Sequence, residues 1–224
     1  MYTLIHQDPR FYLVDKRAGA SFHREGEEDG LMDALRAGLG DDALWPVHRL
    51  DRITSGLILV ARSAETARQL GEALAGREVE KYYLALSDRK PLKKQGKVSG
   101  DMAKGRGGAW RLLASQDNPA VTQFFSYSVQ PGIRLFLLRP RTGKTHQLRV
   151  ALKSQGAPIL GDALYGGGAA DRGYLHAYAL RFALDGEAFS FVCPPSQGER
   201  FADPACRALL AELAEPWTLS WPGA

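Results

Sequence analysis

Three short stretches of this 224-residue chain carry side chains whose types and spacing suit chemistry. The first, His48-Arg49-Leu50-Asp51-Arg52-Ile53-Thr54-Ser55-Gly56, sets the carboxylate of Asp51 between two arginines. Nearby cations keep an aspartate ionised, as a nucleophile or base must be. An aspartate in such a place also commonly braces a turn through its own backbone. The second stretch, Arg139-Pro140-Arg141-Thr142-Gly143-Lys144-Thr145-His146-Gln147-Leu148-Arg149, contains Gly-Lys-Thr but is no phosphate-binding P-loop, since Leu138 stands where that motif needs its first glycine. If Thr145 opens a helix, His146, Arg149 and Lys153 share one face and Leu148 and Leu152 another, suited to the core. Such a helix start, with Arg141 and Lys144 beside it, would attract phosphate; an exposed basic helix is the plainer alternative. The third stretch is Lys81-Tyr82-Tyr83-Leu84-Ala85-Leu86. In a strand the two tyrosines point to opposite faces, so one suits the core and the other can stack on a planar ligand.

The elements that must position these residues follow from pattern. A strand is expected at Phe11–Val14, then an acidic loop Glu25–Asp29 and a short helix Leu31–Leu39 closed by Gly40. The unbroken apolar run Leu57–Ala61 reads as a strand buried on both faces, hence central. Ser63 suits the cap of a helix with the stripe Ala67, Leu70 and Leu74. Glu78–Leu86 reads as a strand, and the glycine- and lysine-rich stretch Lys90–Gly108 as a mobile surface excursion. Strands at 109–114, 121–129 and 133–139, a helix at 145–154, strands at 174–182 and 188–192 and a helix at 204–214 complete the map. Many strands with few intervening helices favour an α+β fold, with a mixed, largely antiparallel sheet and flanking helices. One domain over residues 1–224 is the simplest expectation.

Composition is that of a globular protein, with 45% hydrophobic and 24% charged residues. The net charge of +4 is small, but its distribution is not even. Residues 77–111 and 133–155 each carry +6, leaving −8 for the rest. Two basic stretches on an otherwise acidic chain suggest an anionic partner; two solvated faces would look the same. Cys193 and Cys206 show no metal-binding spacing and are expected as reduced thiols, a single disulfide being the alternative that chain spacing leaves open. The N-terminal MYTLIHQDPR lacks a signal-peptide core, and no apolar run approaches the roughly 18 residues needed to span a bilayer. A cytoplasmic monomer without membrane contact is expected.

The segments HRLDRITSGLILVAR, EKYYLAL, RTGKTHQLRV, APILGDALYG and YLHA, in that order and spacing, resemble the motifs of the RluA family of RNA pseudouridine synthases. Asp15-Lys16-Arg17-Ala18-Gly19 resembles the family's opening D-K-P-x-G, with arginine in place of proline. The resemblance covers about Tyr12 to Phe201, and the H-R-L-D-x-x-T-S-G element is highly specific. It implies isomerisation of uridine to pseudouridine in structured RNA, a tRNA or rRNA stem-loop, with no cofactor and no metal. Asp51 matches the family's catalytic aspartate, Tyr83 the tyrosine that stacks on the target base, and Arg149 the arginine that pairs with the aspartate. Arg52 stands where a side chain can fill the gap left by the extruded nucleotide, and Leu175 is expected to pack the base. His48, Arg49, Thr54, Arg141, Lys144 and His146, carried in the same motifs, are expected to bind the RNA.

Lys144 replaces an arginine common in the family, and Ala151 and Ala157 replace histidines; these departures bear on RNA choice more than on chemistry. Fifteen residues precede Lys16, too few for the S4 RNA-binding domain of larger members. Recognition is therefore expected from the catalytic domain, with the basic stretch Lys90–Arg111 gripping RNA backbone. Two competing functions are an RNA-binding module without catalysis and a nucleoside glycosidase. The first has no use for Asp51, and the second needs a facing carboxylate.

Overall fold

A computed structural model of the chain describes residues 1–24, 26 and 29–223. The first elements are β1 (Tyr2–Gln7), β2 (Phe11–Lys16), α1 (Leu31–Leu39), β3 (Trp45–Pro46), β4 (Thr54–Ala61) and α2 (Ala64–Ala75). Next come β5 (Glu80–Ser87), β6 (Gln95–Gly100), β7 (Met102–Lys104), β8 (Trp110–Leu112), β9 (Ala120–Gln130), β10 (Ile133–Pro140) and α3 (Gln147–Ser154). The chain ends with β11 (Leu175–Leu184), β12 (Glu187–Val192), α4 (Glu199–Ala202) and α5 (Pro204–Glu212). The expected α+β class, with its largely antiparallel sheet, is the one observed. The chain's contacts gather into two compact units, Met1–Glu80 with His176–Pro195 and Lys81–Leu175 with Ser196–Ala224.

In the first unit β1, β2, β4 and β11 lie side by side, with β12 on β11 and β3 on β4. Every residue of β4 is buried, as its unbroken apolar run requires. The mainly aliphatic core includes an aromatic cluster, with the ring of Phe11 edge-on to Phe182 and Phe189. Ser63 Oγ accepts the Thr66 N–H and caps α2, which packs on β3 and β4 through buried Thr66 and Leu70. The helix α1 ends at Gly40, whose φ of 63° takes the chain out through the left-handed region. Of the acidic run expected as a loop, Glu25, Glu27 and Glu28 lie outside the described residues.

In the second unit the strand order is β5-β10-β9-β6, antiparallel throughout. Beside it β7 and β8 form a separate two-stranded ribbon. The helix α3 lies against β8, β9 and β10, and α5 against β9. Trp221, near the C-terminus, packs its ring on Tyr82 and Phe125.

Three elements differ from expectation. Strand β1 has only half-buried and exposed residues, so its sequence carries no core signal. The stretch 90–108 is not an irregular excursion: it holds β6, β7 and a 3₁₀ turn. An edge strand such as β6, buried only at Val98 and Gly100, needs no continuous hydrophobic face. Helix α3 begins at Gln147 rather than Thr145, because His146 adopts a left-handed backbone with φ 56° and closes off the helix start.

Cys193 and Cys206 are free and buried. Burial, reinforced by the charge of Asp15, pushes the Cys193 thiol up to about 12. Burial, with the charge of Asp203, pushes Cys206 up to about 11. Both thiols stay neutral when folded, whereas the ordinary thiol value is 9.0. Their contribution to stability is complete below that value and is lost as pH rises toward the folded values. The expected outcome is that the native protein leaves both thiols unreacted with a disulfide reagent at pH 8. Between pH 8 and pH 10 it should lose stability relative to the Cys193→Ala, Cys206→Ala chain in urea unfolding.

Candidate active site

In the first unit, residues 47–53 link β3 to β4 and hold Asp51 half-buried, between the exposed Arg49 and Arg52. The turn is closed by its own main chain, Thr54 N–H donating to the Asp51 carbonyl at 3.0 Å. His48 joins the loop to the strand by accepting the Leu59 N–H on Nε2 at 3.1 Å. The stronger brace is Lys16, whose side chain is wholly buried. Its ammonium donates to the carbonyls of Arg17, Ala20 and Arg52 at 2.9, 2.8 and 3.3 Å. A buried ammonium is tolerated only when its donors are met in this way. Gly19 and Arg52 add a reciprocal pair: Gly19 N–H donates to the Arg52 carbonyl, and Arg52 Nε–H to the Gly19 carbonyl. The D-K-R-A-G segment thus holds in place the residue that follows Asp51.

Thr54 and Ser55 are buried at the start of β4. Gly56 has φ 105°, and a Cβ there would stand 2.2 Å from the Ala177 carbonyl oxygen of β11. Only glycine lets these backbones approach so closely. Beside it Ser55 Oγ lies 2.7 Å from Nδ1 of the buried His176, whose Nε2 lies 2.7 Å from the Cys193 carbonyl oxygen. A carbonyl only accepts, so Nε2 carries the proton and Nδ1 accepts from the serine hydroxyl. The T-S-G and H-A motifs are two sides of one close contact.

In the second unit the tyrosine pair divides between faces. Tyr82 is fully buried against Trp221 and Trp217, and Tyr83, opposite Leu138 on β10, is only half-buried. Lys81 reaches toward Gly143 of the basic loop, and burial pulls its ammonium below the ordinary lysine value.

Arg149 on α3 is 6% exposed. Its Nε and Nη2 donate to the two carboxylate oxygens of Asp162, 1% exposed, at 2.7 and 2.8 Å. The turn Ala163–Tyr165 then carries the Tyr165 ring to 4.9 Å from the guanidinium carbon. Lys153 Nζ lies 5.6 Å from the same ring, and His146 Nδ1 lies 2.9 Å from its hydroxyl. The face expected for His146, Arg149 and Lys153 therefore exists, and all three converge on Tyr165.

Gln147 fixes the loop before them. Its Oε1 accepts the Thr142 hydroxyl and the Lys144 N–H, and its Nε2 donates to the Val121 carbonyl and Thr122 Oγ1. Lys144 Nζ donates to Asn118 Oδ1, and half-buried Arg141 is tied by its N–H to the Val121 carbonyl. Leu175 is buried, its carbonyl accepting from Arg172 Nη2.

Sequence reasoning gave no role to Lys16, Gln147, Asp162, Tyr165 or His176. Four of these sit inside the quoted motifs as they stand, and Lys16 in the D-K-R-A-G segment, so the signal was present without its purpose. Among the described residues no group of three or more His, Cys, Asp or Glu is placed to hold a metal ion, and no helix is long and apolar enough to cross a membrane.

The motifs and the geometry converge with three comparisons. Residues 10–154 match the family model described as RNA pseudouridylate synthase. A relative in Haemophilus influenzae, named an uncharacterized RNA pseudouridine synthase, is 47% identical over 203 residues, covering 90% of this chain and 91% of its own. The tRNA pseudouridine synthase C of Vibrio vulnificus is 32% identical, over 89% of this chain and 88% of its own. In fold, the human RNA pseudouridylate synthase domain containing 1 is similar, with TM-score 0.77 and 24% identity over 96% of this chain and 95% of that one. The chain belongs to the RNA pseudouridine synthase family, and is an enzyme of uridine isomerisation in RNA.

Breaking a buried ion pair from one side leaves an uncompensated charge, at a cost of about 3–5 kcal/mol. Asp162→Asn is expected to lose stability of that order in urea unfolding. A change under about 0.5 kcal/mol, the range of ordinary surface substitutions, would show that the pair does not hold the fold.

Proposed function

We propose that the chain isomerises a specific uridine in a tRNA or rRNA stem-loop, with Asp51 as the catalytic carboxylate acting on a flipped-out nucleotide. The observation that carries this reading is the brace around Asp51: a buried lysine and a glycine backbone hold the next residue, while the carboxylate's own segment stays half-buried between exposed arginines. A carboxylate kept accessible and flanked by cations suits attack beside a phosphate backbone. The reading takes residues 1–224 as one catalytic domain, with Asp51, Tyr83 and Arg149 as its catalytic residues.

The reaction breaks C1′–N1, turns the uracil and joins C5 to C1′; the C5 proton leaves and N1 gains one. Asp51 either attacks C1′ or removes the C2′ proton to open a glycal route. Flipping the nucleotide costs a few kcal/mol, and stacking on Tyr83 returns about 1–3 kcal/mol. Arg149, held by Asp162, is the arginine that the family resemblance assigns to orienting the catalytic carboxylate. His48, Arg49, Arg52, Thr54, Arg141, Lys144, His146 and Leu175 bind the RNA around the target.

A glycosidase would need a second acid. Asp162, a buried carboxylate in the motifs, already has both of its oxygens occupied by Arg149. The name of the Vibrio relative favours tRNA as the substrate.

The test is to express wild type and Asp51→Asn in cells lacking the enzyme and map pseudouridine across tRNA and rRNA. At least one uridine should be modified by wild type and untouched by the mutant, with RNA binding retained. No Asp51-dependent position in any RNA would overturn the reading. Replacing the exposed Lys93, Lys94 and Lys97 by alanine should weaken RNA binding and flatten its salt dependence. An unchanged salt slope would remove that segment from the contact surface.

A further inference from the structure

The β7–β8 ribbon carries Lys104, Arg106 and Arg111, all exposed, and no acidic residue between Met102 and Leu112. Its base is pinned: the Asp101 carboxylate accepts the N–H groups of Asp117 and Asn118. Its tip is Gly105-Arg106-Gly107-Gly108, with Gly107 and Gly108 at φ 61° and 77°. A cationic ribbon with a glycine tip suits a polyanion.

A hydrogen bond ties the ribbon to the buried cluster. The backbone N–H of Trp110 donates to the hydroxyl of Tyr165 at 2.9 Å. That hydroxyl also meets His146 Nδ1 at 2.9 Å, and the ring behind it lies against the guanidinium of Arg149. With its oxygen accepting from Trp110, the hydroxyl has its proton to give, and His146 Nδ1 receives it in the neutral tautomer protonated on Nε2. Tyr165 is 2% exposed, so it has little freedom to move independently of what it touches. One rigid side chain therefore touches the basic ribbon, the left-handed residue before α3, and the buried arginine.

We infer that Tyr165 is a positioning residue through which the ribbon, on taking up RNA phosphates, sets the guanidinium of Arg149. Ribbon contacts then raise the rate of the bound complex as well as its affinity. The inference rests on the proposed role of Arg149, and its test separates the two.

The test is a double-mutant cycle on the full chain, with pseudouridine formation read as kcat and KM on the RNA that the mapping identifies. In the wild-type background, Lys104→Ala with Arg106→Ala should raise KM and lower kcat about tenfold, within the usual range of coupling between two sites. In a Tyr165→Phe background, which keeps the ring and removes the hydroxyl, the same change should raise KM by the same factor. There it should leave kcat within about twofold, the limit of additivity. Equal kcat losses in the two backgrounds, or an effect on KM alone in wild type, would overturn the coupling while leaving the function intact. Wild type no more active than Asp51→Asn would overturn both. Independently of activity, amide hydrogen exchange over residues 102–112 should quicken in Tyr165→Phe, with β10 unchanged; unaltered exchange in the ribbon would also overturn the inference.

Discussion

A guanidinium as buried as that of Arg149 stays in place because Asp162 meets it with both oxygens. The paired bonds fix the plane of the group as well as its charge. Much of the second unit's candidate site follows from that plane. The turn after Asp162 delivers Tyr165 to the guanidinium, and Tyr165 in turn receives His146 from before α3 and Trp110 from the ribbon. The motifs R-T-G-K-T-H-Q-L-R and G-D-A-L-Y-G are therefore one object, the second existing to hold the last residue of the first.

The first unit solves a similar problem with the opposite sign. A buried ammonium, Lys16, is met by three carbonyls, one of them on the residue next to Asp51. The T-S-G turn is fixed from the other side by the close approach of Ala177 to Gly56 and by the Ser55–His176 bond. Asp51, Arg49, Arg52, Tyr83, Arg141, Lys144 and His146 are half-buried or exposed, and Lys16, Gln147, Asp162 and Tyr165, which hold the loops around them, are buried. The geometry of the candidate site is thus set by buried groups behind it.

This division explains what the sequence made legible. Elements with a strong periodic or unbroken apolar pattern, such as β4, α1 and α2, were readable because burial wrote the pattern. Strand β1 and the edge strand β6 were not, since an edge places few side chains in the core. The opposed faces of Tyr82 and Tyr83 followed from strand alternation alone. The shared face of Arg149 and Lys153 followed from helical spacing, whereas His146 reaches Tyr165 from the left-handed residue before the helix. The partners of these groups were illegible, because Asp162 and Trp110 stand far along the chain from what they hold. No spacing rule links Asp162 to Arg149; only the fold brings a turn beneath a helix.

The charge distribution gains a physical sense from the same picture. The +6 of residues 77–111 includes the exposed cations of the ribbon, while the +6 of residues 133–155 includes Arg149, neutralised within the fold. Only part of the apparent basic character is therefore offered to a polyanion. If Asp51 drives the exchange of N1 for C5 on C1′, as proposed, the C5 hydrogen must be released. The most direct measurement is tritium release to water from transcripts labelled at uridine C5. Wild type should release tritium, at most one per target uridine, and Asp51→Asn none. Equal release by the two proteins, or none by either on any RNA, would contradict the proposal.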